Sequence, residues 1–178
     1  KWFNSIGKSE LYQEKVLVID SNMDSVVDGW SPEVESAIPD EIKKSDEYKN
    51  FQRDLSFVKR QREEKTLVMR EFLDSIESNL REKTEPRFRR LVSDYLAKEY
   101  VTVEQRLYAV KTDKKWQWLG KLYPAVFTRD RQVLFLSMDK LLSRNTTIVE
   151  PSYMFYNSDI VKNAVIFIDE FDATKDTI

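Results

Sequence analysis

The chain contains neither cysteine nor histidine. Their absence excludes disulfide bonds, zinc sites built from thiolates and imidazoles, thiol nucleophiles, and every catalytic triad that uses an imidazole base. Any chemistry must therefore come from carboxylates, hydroxyl groups, lysine, arginine or a bound metal ion. A chain without cysteine also suits a reducing compartment, and we expect a cytoplasmic protein.

Glycine and long apolar runs are scarce as well. Only three glycines occur among 178 residues, which argues against a glycine-rich all-β fold. No apolar run approaches the roughly 20 residues that cross a membrane, and no signal peptide is visible, so we expect no membrane association. Charged residues make up 34% of the chain and the net charge is −2, which favours long solvated helices over a surface of one sign.

Three apolar runs predict the strands of a parallel sheet. Residues 16–21 read "VLVIDS", residues 133–137 read "VLFLS", and residues 164–168 read "AVIFI". Runs that are apolar throughout, rather than alternating, are typical of strands buried on both faces of a parallel sheet. Together with the helices predicted between them, these runs indicate an α/β fold with a partial parallel sheet.

A large helical block, residues 40–125, separates the first two predicted strands. Apolar residues recur there at spacings of three and four, which is the pattern of amphipathic helices. These positions are Tyr48, Phe51, Leu55, Val58, Val68, Phe72, Ile76, Leu80, Phe88, Leu91, Val92, Tyr95 and Leu96. Pro86 is predicted in the first turn of the helix that carries the last stripe. We therefore predict a single domain, residues 1–178, with this block as a helical insertion.

The third predicted strand ends in a run of carboxylates, Asp169, Glu170 and Asp172. Side chains at the carboxyl ends of parallel strands project into the crevice above the sheet, where ligands bind. In nucleotide hydrolases the first acid of such a set holds Mg²⁺ and the next can polarise the attacking water. The structural alternative is a strand that ends at the solvent-exposed surface, where the acidic side chains cap the residues that follow.

The string "VIFIDEFD" at 165–172 resembles motif II (the Walker B or DEAD/DExD box) of superfamily 2 helicases. "VLVIDSN" at 16–22 is similar to the motif Ia strand, and "VLFLSMDKLLSR" at 133–144 to the strand and helix before motif II. The resemblance implies a RecA-like (P-loop NTPase) lobe that uses ATP and Mg²⁺ and acts on DNA or RNA. It makes Asp169 the Mg²⁺-coordinating acid, Glu170 the catalytic base, and Asp172 the residue that links the ATP state to the rest of the motor.

One required element is missing. A phosphate-binding loop needs G-x-x-x-x-G-K-[ST]; "IGKS" at 6–9 supplies the ending, but Trp2 occupies the position of the first glycine. We therefore assign no phosphate role to Gly7, Lys8 or Ser9 and expect the loop upstream, in a longer polypeptide. The chain is then a fragment of the first lobe, inactive alone. Its partners are the rest of the polypeptide and, through open sheet edges, a second copy.

Two other functions stay open. The helical block can serve as a non-enzymatic protein-interaction module if its apolar stripes remain exposed. If the stripes instead pack against the sheet, the block is only a structural insertion in the lobe. "VIFIDEFDATKDT" also resembles the ribose-phosphate-binding string of phosphoribosyltransferases, with Asp169 and Glu170 on the ribose hydroxyls. Against this, Lys175 stands where a glycine lets amides approach the phosphate, and Asp176 adds a repulsive charge.

Two clusters combine cations with aromatic rings, as nucleic-acid surfaces do. The first consists of Arg81, Lys83, Arg87, Phe88, Arg89 and Arg90, and the second of Lys114, Lys115, Trp116 and Trp118. Interleaved glutamates, and the place of Phe88 in an apolar stripe, favour a solvated helix end for the first cluster. For the second, helical spacing predicts that one tryptophan lies in the core and the other faces outward.

Overall fold

The computed structural model describes residues 9–64, 70–162 and 164–167. The chain divides into two compact units. One is the helical unit, Ser21–Tyr123. The other, the sheet unit, is built from the segments on either side, and its described parts are residues 9–20, 124–162 and 164–167. The chain therefore leaves the sheet unit after Asp20 and returns to it at Pro124.

The sheet unit is centred on two parallel strands. Helix α1 (Ser9–Lys15) runs directly into strand β1 (Val16–Ile19), which pairs with strand β2 (Val133–Leu136). The four residues of β1 face the four residues of β2 in order. The Gln132 amide donates to the Lys15 carbonyl at 2.9 Å, which extends the pairing by one step. The first two predicted strands and their parallel orientation are confirmed.

The two faces of this sheet differ in exposure, since neighbours along a strand point to opposite faces. On one face Val18, Val133 and Phe135 are 45%, 44% and 57% exposed. The covered face carries Leu17, Ile19, Leu134 and Leu136, which pack with Ala125 and Phe155. Both strands are apolar throughout, yet the described residues cover one face only. The expectation of burial on both faces is met on that face alone.

The helical unit is built from helices whose starts follow the sequence signals for capping. Ser21 caps the first of them, because its hydroxyl accepts from the Asp24 amide at 3.1 Å. Thr102 and Gln105 form a capping box, and each such cap satisfies an amide that the helix itself leaves without a partner. The helices are α2 (Asn22–Gly29), α3 (Pro32–Ala37), α4 (Asp40–Lys43), α5 (Asp46–Glu64), α6 (Arg70–Asn79), α7 (Glu85–Glu99), α8 (Val103–Thr112) and α9 (Trp118–Leu122).

Between α6 and α7 the backbone stays helical through a π-helical turn, Leu80–Thr84. Pro86 follows in the first turn of α7, as predicted. Proline has no N–H, and its ring crowds the carbonyl four residues earlier in an α-helix. The wider turn directly before it lets the chain continue as a helix instead of breaking. The sequence predicted the start of α7 but not this continuity.

The core of the helical unit is formed where the stripes of α5 and α7 meet. Phe51 and Phe88 stack with ring centroids 4.2 Å apart and planes inclined by 8°, and Trp118 approaches Phe88 at 6.3 Å. The buried stripe residues are Tyr48, Phe51, Leu55, Val58, Leu80, Phe88, Val92 and Leu96. Helix α6 is the exception, since none of its side chains is buried and Phe72 is 49% exposed.

The prediction for Trp116 and Trp118 was wrong, because both side chains are buried. Residues 114–117 form a turn rather than a helix, so helical spacing does not separate the two rings. The Trp116 indole N–H donates to the Glu99 carboxylate at 3.0 Å, and that of Trp118 donates to the Lys115 carbonyl at 2.9 Å. The pair is part of the core and offers no stacking platform to a nucleic acid.

Short elements complete the sheet unit after the helical unit. Arg129 ties them together: its guanidinium donates to the Glu150 carboxylate at 2.8 Å and to both oxygens of Asp159 at 3.0 and 3.3 Å. These hydrogen bonds lower the pKa of Asp159. The elements are a 3₁₀ helix (Pro124–Asp130), helix α10 (Met138–Leu142), the antiparallel pair β3 (Arg144–Asn145) and β4 (Tyr153–Met154), a 3₁₀ turn (Phe155–Asn157) and helix α11 (Asp159–Lys162).

The third predicted strand is wrong for the residues that can be checked. Residues 164–167 form no strand, and Val165, Ile166 and Phe167 are 79%, 53% and 92% exposed. Ile168, the last residue of the predicted strand, lies outside the described part of the chain. The physical reason is that, within the described residues, no neighbouring strand pairs with this segment, and an apolar run gains little from extended structure without such a neighbour.

The helical unit begins earlier than the predicted block of residues 40–125. Helices α2 and α3 belong to it because they pack against α9, and α2 also contacts α5. The assignment of residues 1–178 to one helicase-like lobe stays a prediction. Among the described residues, no helix combines the length and the apolar character that crossing a membrane requires.

Candidate functional site

The carboxyl ends of β1 and β2 lie at one edge of the sheet, because the two strands are parallel and in register. Asp20 follows β1 and Ser137 follows β2, so each of these exposed residues directly follows one member of the last register pair, Ile19 and Leu136. This is the edge at which open α/β sheets bind ligands. We therefore take the edge that carries Asp20 and Ser137 as the candidate site.

The polar groups of this edge are already partly engaged in holding the fold. The Ser137 hydroxyl caps α10 by accepting from the Lys140 amide at 3.2 Å. Asp139 adds a second exposed carboxylate in the first turn of α10. Two carboxylates and one hydroxyl can accept hydrogen bonds from a ligand or attract a cation. No group of three or more acidic side chains that could hold a metal ion occurs in the described ranges.

The predicted catalytic and metal residues cannot be placed against this edge. Asp169, Glu170 and Asp172 all lie outside the described residues, as do Gly7 and Lys8. Their assigned roles, including Mg²⁺ at Asp169 and the absence of a phosphate role for the "IGKS" string, stay predictions. The structure thus places Asp20 and Ser137 directly after Ile19 and Leu136, the last register pair of the sheet.

The basic cluster before and within α7 divides into a buried pair and an exposed rim. Phe88 is fully buried, which confirms its place in the apolar stripe. Arg89 Nε lies 3.0 Å from Glu85 Oε1, and both side chains are largely buried. The exposed members are Arg81, Lys83, Arg87 and Arg90. One arginine of the cluster is therefore structural, and the remaining cations form a solvated helix face.

Tyr123 joins the Glu85–Arg89 pair inside the helical unit. Burial raises the pKa of Tyr123 well above its ordinary value, and the Glu85 carboxylate raises it further. Removing charges from water is costly unless they are paired and hydrogen-bonded, so the three groups depend on one another. The sequence carried a signal that was missed: Glu85 and Arg89 are four residues apart and lie on the same helical stripe as Phe88.

A second polar network lies beside the π-helical turn. Asp54 is 3% exposed, and its carboxylate accepts from Asn79 at 2.6 Å, Thr84 at 3.2 Å and Arg53 at 3.0 Å. A shallow groove of about 380 Å³ opens above it. The groove is lined by Arg53, Asp54, Ser75, Ile76, Ser78, Asn79, Glu82 and Lys83.

The charges of this groove do not favour one class of ligand, since two cations and two carboxylates line it. Both carboxylate oxygens of Asp54 accept hydrogen bonds from protein donors, so the network has a structural role and needs no ligand. The missed signal is that Asp54 falls three residues after Phe51 in the apolar stripe, where a carboxylate requires a buried donor.

Comparisons with known proteins add no identification. No protein-family model matches the chain, and no curated protein matches it with significant similarity.

Proposed function

We propose that the chain is part of the first RecA-like lobe of a cytoplasmic helicase or translocase that uses ATP and Mg²⁺ on DNA or RNA. The observation that carries this proposal is the parallel, in-register pairing of β1 with β2. The two segments that resemble helicase segments, "VLVIDSN" and "VLFLSMDKLLSR", contain these strands, and their parallel pairing places both carboxyl ends at one edge. Asp20 and Ser137 at that edge are consistent with a ligand crevice.

In this proposal the acidic motif supplies the chemistry. Asp169 holds Mg²⁺, which neutralises charge on the transferred phosphoryl group, and Glu170 activates the attacking water. Asp172 connects the nucleotide state to the rest of the motor. The phosphate-binding loop and the second lobe come from the rest of the polypeptide. The 178-residue chain alone is therefore expected neither to bind ATP tightly nor to hydrolyse it.

The test begins with the coding sequence upstream of this chain, where we expect an apolar strand followed by G-x-x-x-x-G-K-[ST]. The longer protein should then show Mg²⁺-dependent ATPase activity. Loss of a general base typically lowers the rate by about 10²–10⁴-fold, and we expect Glu170→Gln to fall in that range. Glu41→Gln makes the same chemical change at an exposed position of α4 and should leave the rate unchanged.

Two results would contradict the proposal. One is a longer protein without the phosphate-binding loop. The other is an ATPase activity that Glu170→Gln does not affect. ATP hydrolysis by the 178-residue chain alone would refute the assignment of the phosphate site to the rest of the polypeptide.

The second candidate function, a protein-interaction module, is favoured by α6. The stripes of α5 and α7 are buried within the helical unit, so they are not available to a partner. Phe72 of α6 remains half-exposed and contacts Phe57 edge-to-face at 5.6 Å. Sedimentation equilibrium tests this function through self-association: a dimer that is lost in Phe72→Ser would favour it, and a monomer unchanged by that substitution would count against it.

A further inference from the structure

Helix α6 lies outside the core of the helical unit, because none of its side chains is buried. The helices that precede and follow it in the chain do enter the core: Leu55 of α5 and Phe88 and Leu96 of α7 are fully buried. Burial of an apolar face supplies most of the stability of a helix within a protein. Helix α6 therefore gains little stability from the core.

The sequence of α6 also gives the helix little stability of its own. The helix has ten residues, REFLDSIESN, and isolated helices shorter than about 12–15 residues are marginal in water. Asp74, Ser75, Ser78 and Asn79 are weaker helix formers than alanine, leucine or glutamate. The helix must therefore be held in place by its contacts with the rest of the unit.

The seam between α5 and α6 is loosely packed. The groove of about 380 Å³ runs along it and is lined by side chains of both helices, Arg53 and Ile76 among them. Phe57 of α5 meets Phe72 of α6 edge-to-face at 5.6 Å, yet Phe72 remains 49% exposed. Protein cores leave few voids larger than a water molecule, so this seam does not have the packing of a core.

An ion pair joins α6 to α5. Arg62 Nε donates to Glu77 Oε1 at 3.2 Å, and Arg62 Nη2 lies at the same distance from that oxygen. Both side chains remain partly exposed, so the pair adds only modest stability. Arg62 Nη1 also donates to Asp24 at 3.2 Å. Because Asp24 lies in the first turn of α2, Arg62 connects α6 to the helix that begins two residues after Asp20.

The π-helical turn after α6 is attached far more firmly than α6 itself. Leu80, its first residue, is fully buried. Asn79 and Thr84 both donate to the buried carboxylate of Asp54. A π-helical turn within a helix interrupts the regular spacing, and such turns are frequent at functional sites. The firm attachment to the core therefore begins at Asn79.

We propose that residues 70–78 of α6 form a releasable strap, which opens from α5 as one unit while α5 and α7 keep their core. The strap is released up to the π-helical turn, and the Arg62–Glu77 ion pair is the latch that closes it. Segments with few buried apolar contacts open at a lower free-energy cost than the whole unit. Opening uncovers Phe57 and frees Phe72, so the released state presents apolar surface that the closed state covers. The strap does not depend on nucleotide binding.

Hydrogen exchange of single amides in the full chain, followed by NMR from zero urea to concentrations below the unfolding transition, tests the proposal. The amides of residues 74–78 should exchange at least about 100-fold faster than those of Val92 and Leu96 in α7, yet more slowly than in an unstructured peptide. The rates in the strap should depend little on urea, because opening exposes little surface. The rates in α7 should rise steeply with urea.

Two variants separate opening of the strap from unfolding of the whole unit. Leu96→Ala removes a core side chain that stays buried in both the closed and the open state, so it should accelerate exchange in α7 by about thirtyfold or more and leave the strap unchanged. Glu77→Gln breaks the latch and destabilises the closed state alone, so exchange in the strap and in α7 should both accelerate by about threefold. Asp74→Asn is the matched control, because it removes one exposed negative charge from the same helix, and it should change neither rate by more than about twofold.

Equal exchange rates and equal urea dependence in the strap and α7 would overturn the proposal, because the strap would then open only when the whole unit unfolds. The same conclusion follows if Leu96→Ala accelerates both by the same factor. Unprotected exchange of residues 74–78 would overturn it as well, since the strap would have no closed state. A Glu77→Gln variant that exchanges no faster than Asp74→Asn would contradict the ion pair as the latch. The urea dependence is measured on the unaltered chain, so it decides the question even if Leu96→Ala does not fold.

Discussion

Gly29, at the end of α2, is a position where one added methyl group should destabilise the helical unit. A Cβ atom there would lie 2.3 Å from the Lys121 carbonyl oxygen and 3.1 Å from its carbon. Ordinary carbon–oxygen contacts are about 3.3–3.6 Å, so α2 and α9 must separate by about 1 Å. Both partners are backbone, and no side-chain rotation relieves the contact.

The expected cost of Gly29→Ala follows from two opposing effects. Overpacking of this kind costs about 1–3 kcal/mol, and a backbone-to-backbone contact belongs at the upper end. Alanine is favoured over glycine in a helix by up to about 1 kcal/mol. The free energy of unfolding should therefore fall by about 2 kcal/mol, which corresponds to roughly 8–16 °C in Tm for a unit of about 100 residues.

Urea unfolding followed by tryptophan fluorescence measures this change, since Trp30, Trp116 and Trp118 are all buried in the helical unit. Asp28→Ala is the matched control, because it introduces alanine at the preceding, exposed position of the same helix. It should change the free energy of unfolding by less than about 0.5 kcal/mol. A Gly29→Ala variant as stable as the unaltered chain would refute the close approach of α2 and α9.

Further variants test the core and its ionisable groups. Phe88→Ala should lower the free energy of unfolding by about 3–5 kcal/mol, whereas Phe72→Ala, at a half-exposed position, should cost less than about 1 kcal/mol; urea midpoints distinguish the two. Glu85→Gln should cost about 3–5 kcal/mol because it leaves Arg89 buried without its carboxylate, and adding Arg89→Met should recover part of that loss. The pKa of Tyr123 is raised above its ordinary value of 10.0 in the folded chain. The neutral phenol therefore contributes fully to the free energy of unfolding below pH 10.0, and this contribution is lost as the pH rises above that value. Tyr123→Phe should flatten the alkaline decline in stability.

The parallel strands and the main helical stripes were predictable because each depends on a local pattern. An unbroken apolar run marks a strand of a parallel sheet, and spacings of three and four mark a buried helix face. Ser21 as a cap and Pro86 in a first turn follow from equally local chemistry. These features need no knowledge of which element packs against which.

The errors arise where tertiary context decides. The runs at 16–19 and 164–167 are equally apolar, but in the structure only the first has a strand beside it. Trp116 and Trp118 both reach the core because a turn intervenes before α9. Asp54 is buried because Asn79 and Thr84, which lie outside its helix, donate to its carboxylate, and such partners are invisible in a stripe considered alone.

The close approach of α2 and α9 has a consequence for the order of folding. Val16 and Val133 pair across roughly 120 residues, a separation that slows folding. Closing so long a flexible loop costs about 4 kcal/mol in chain entropy. The helical unit reduces this cost if it folds first, because the contact between Gly29 and Lys121 brings its two ends together before the strands meet. On the ribosome, at about 5–20 residues per second, β2 is synthesised several seconds after β1. The helical unit can fold during that interval.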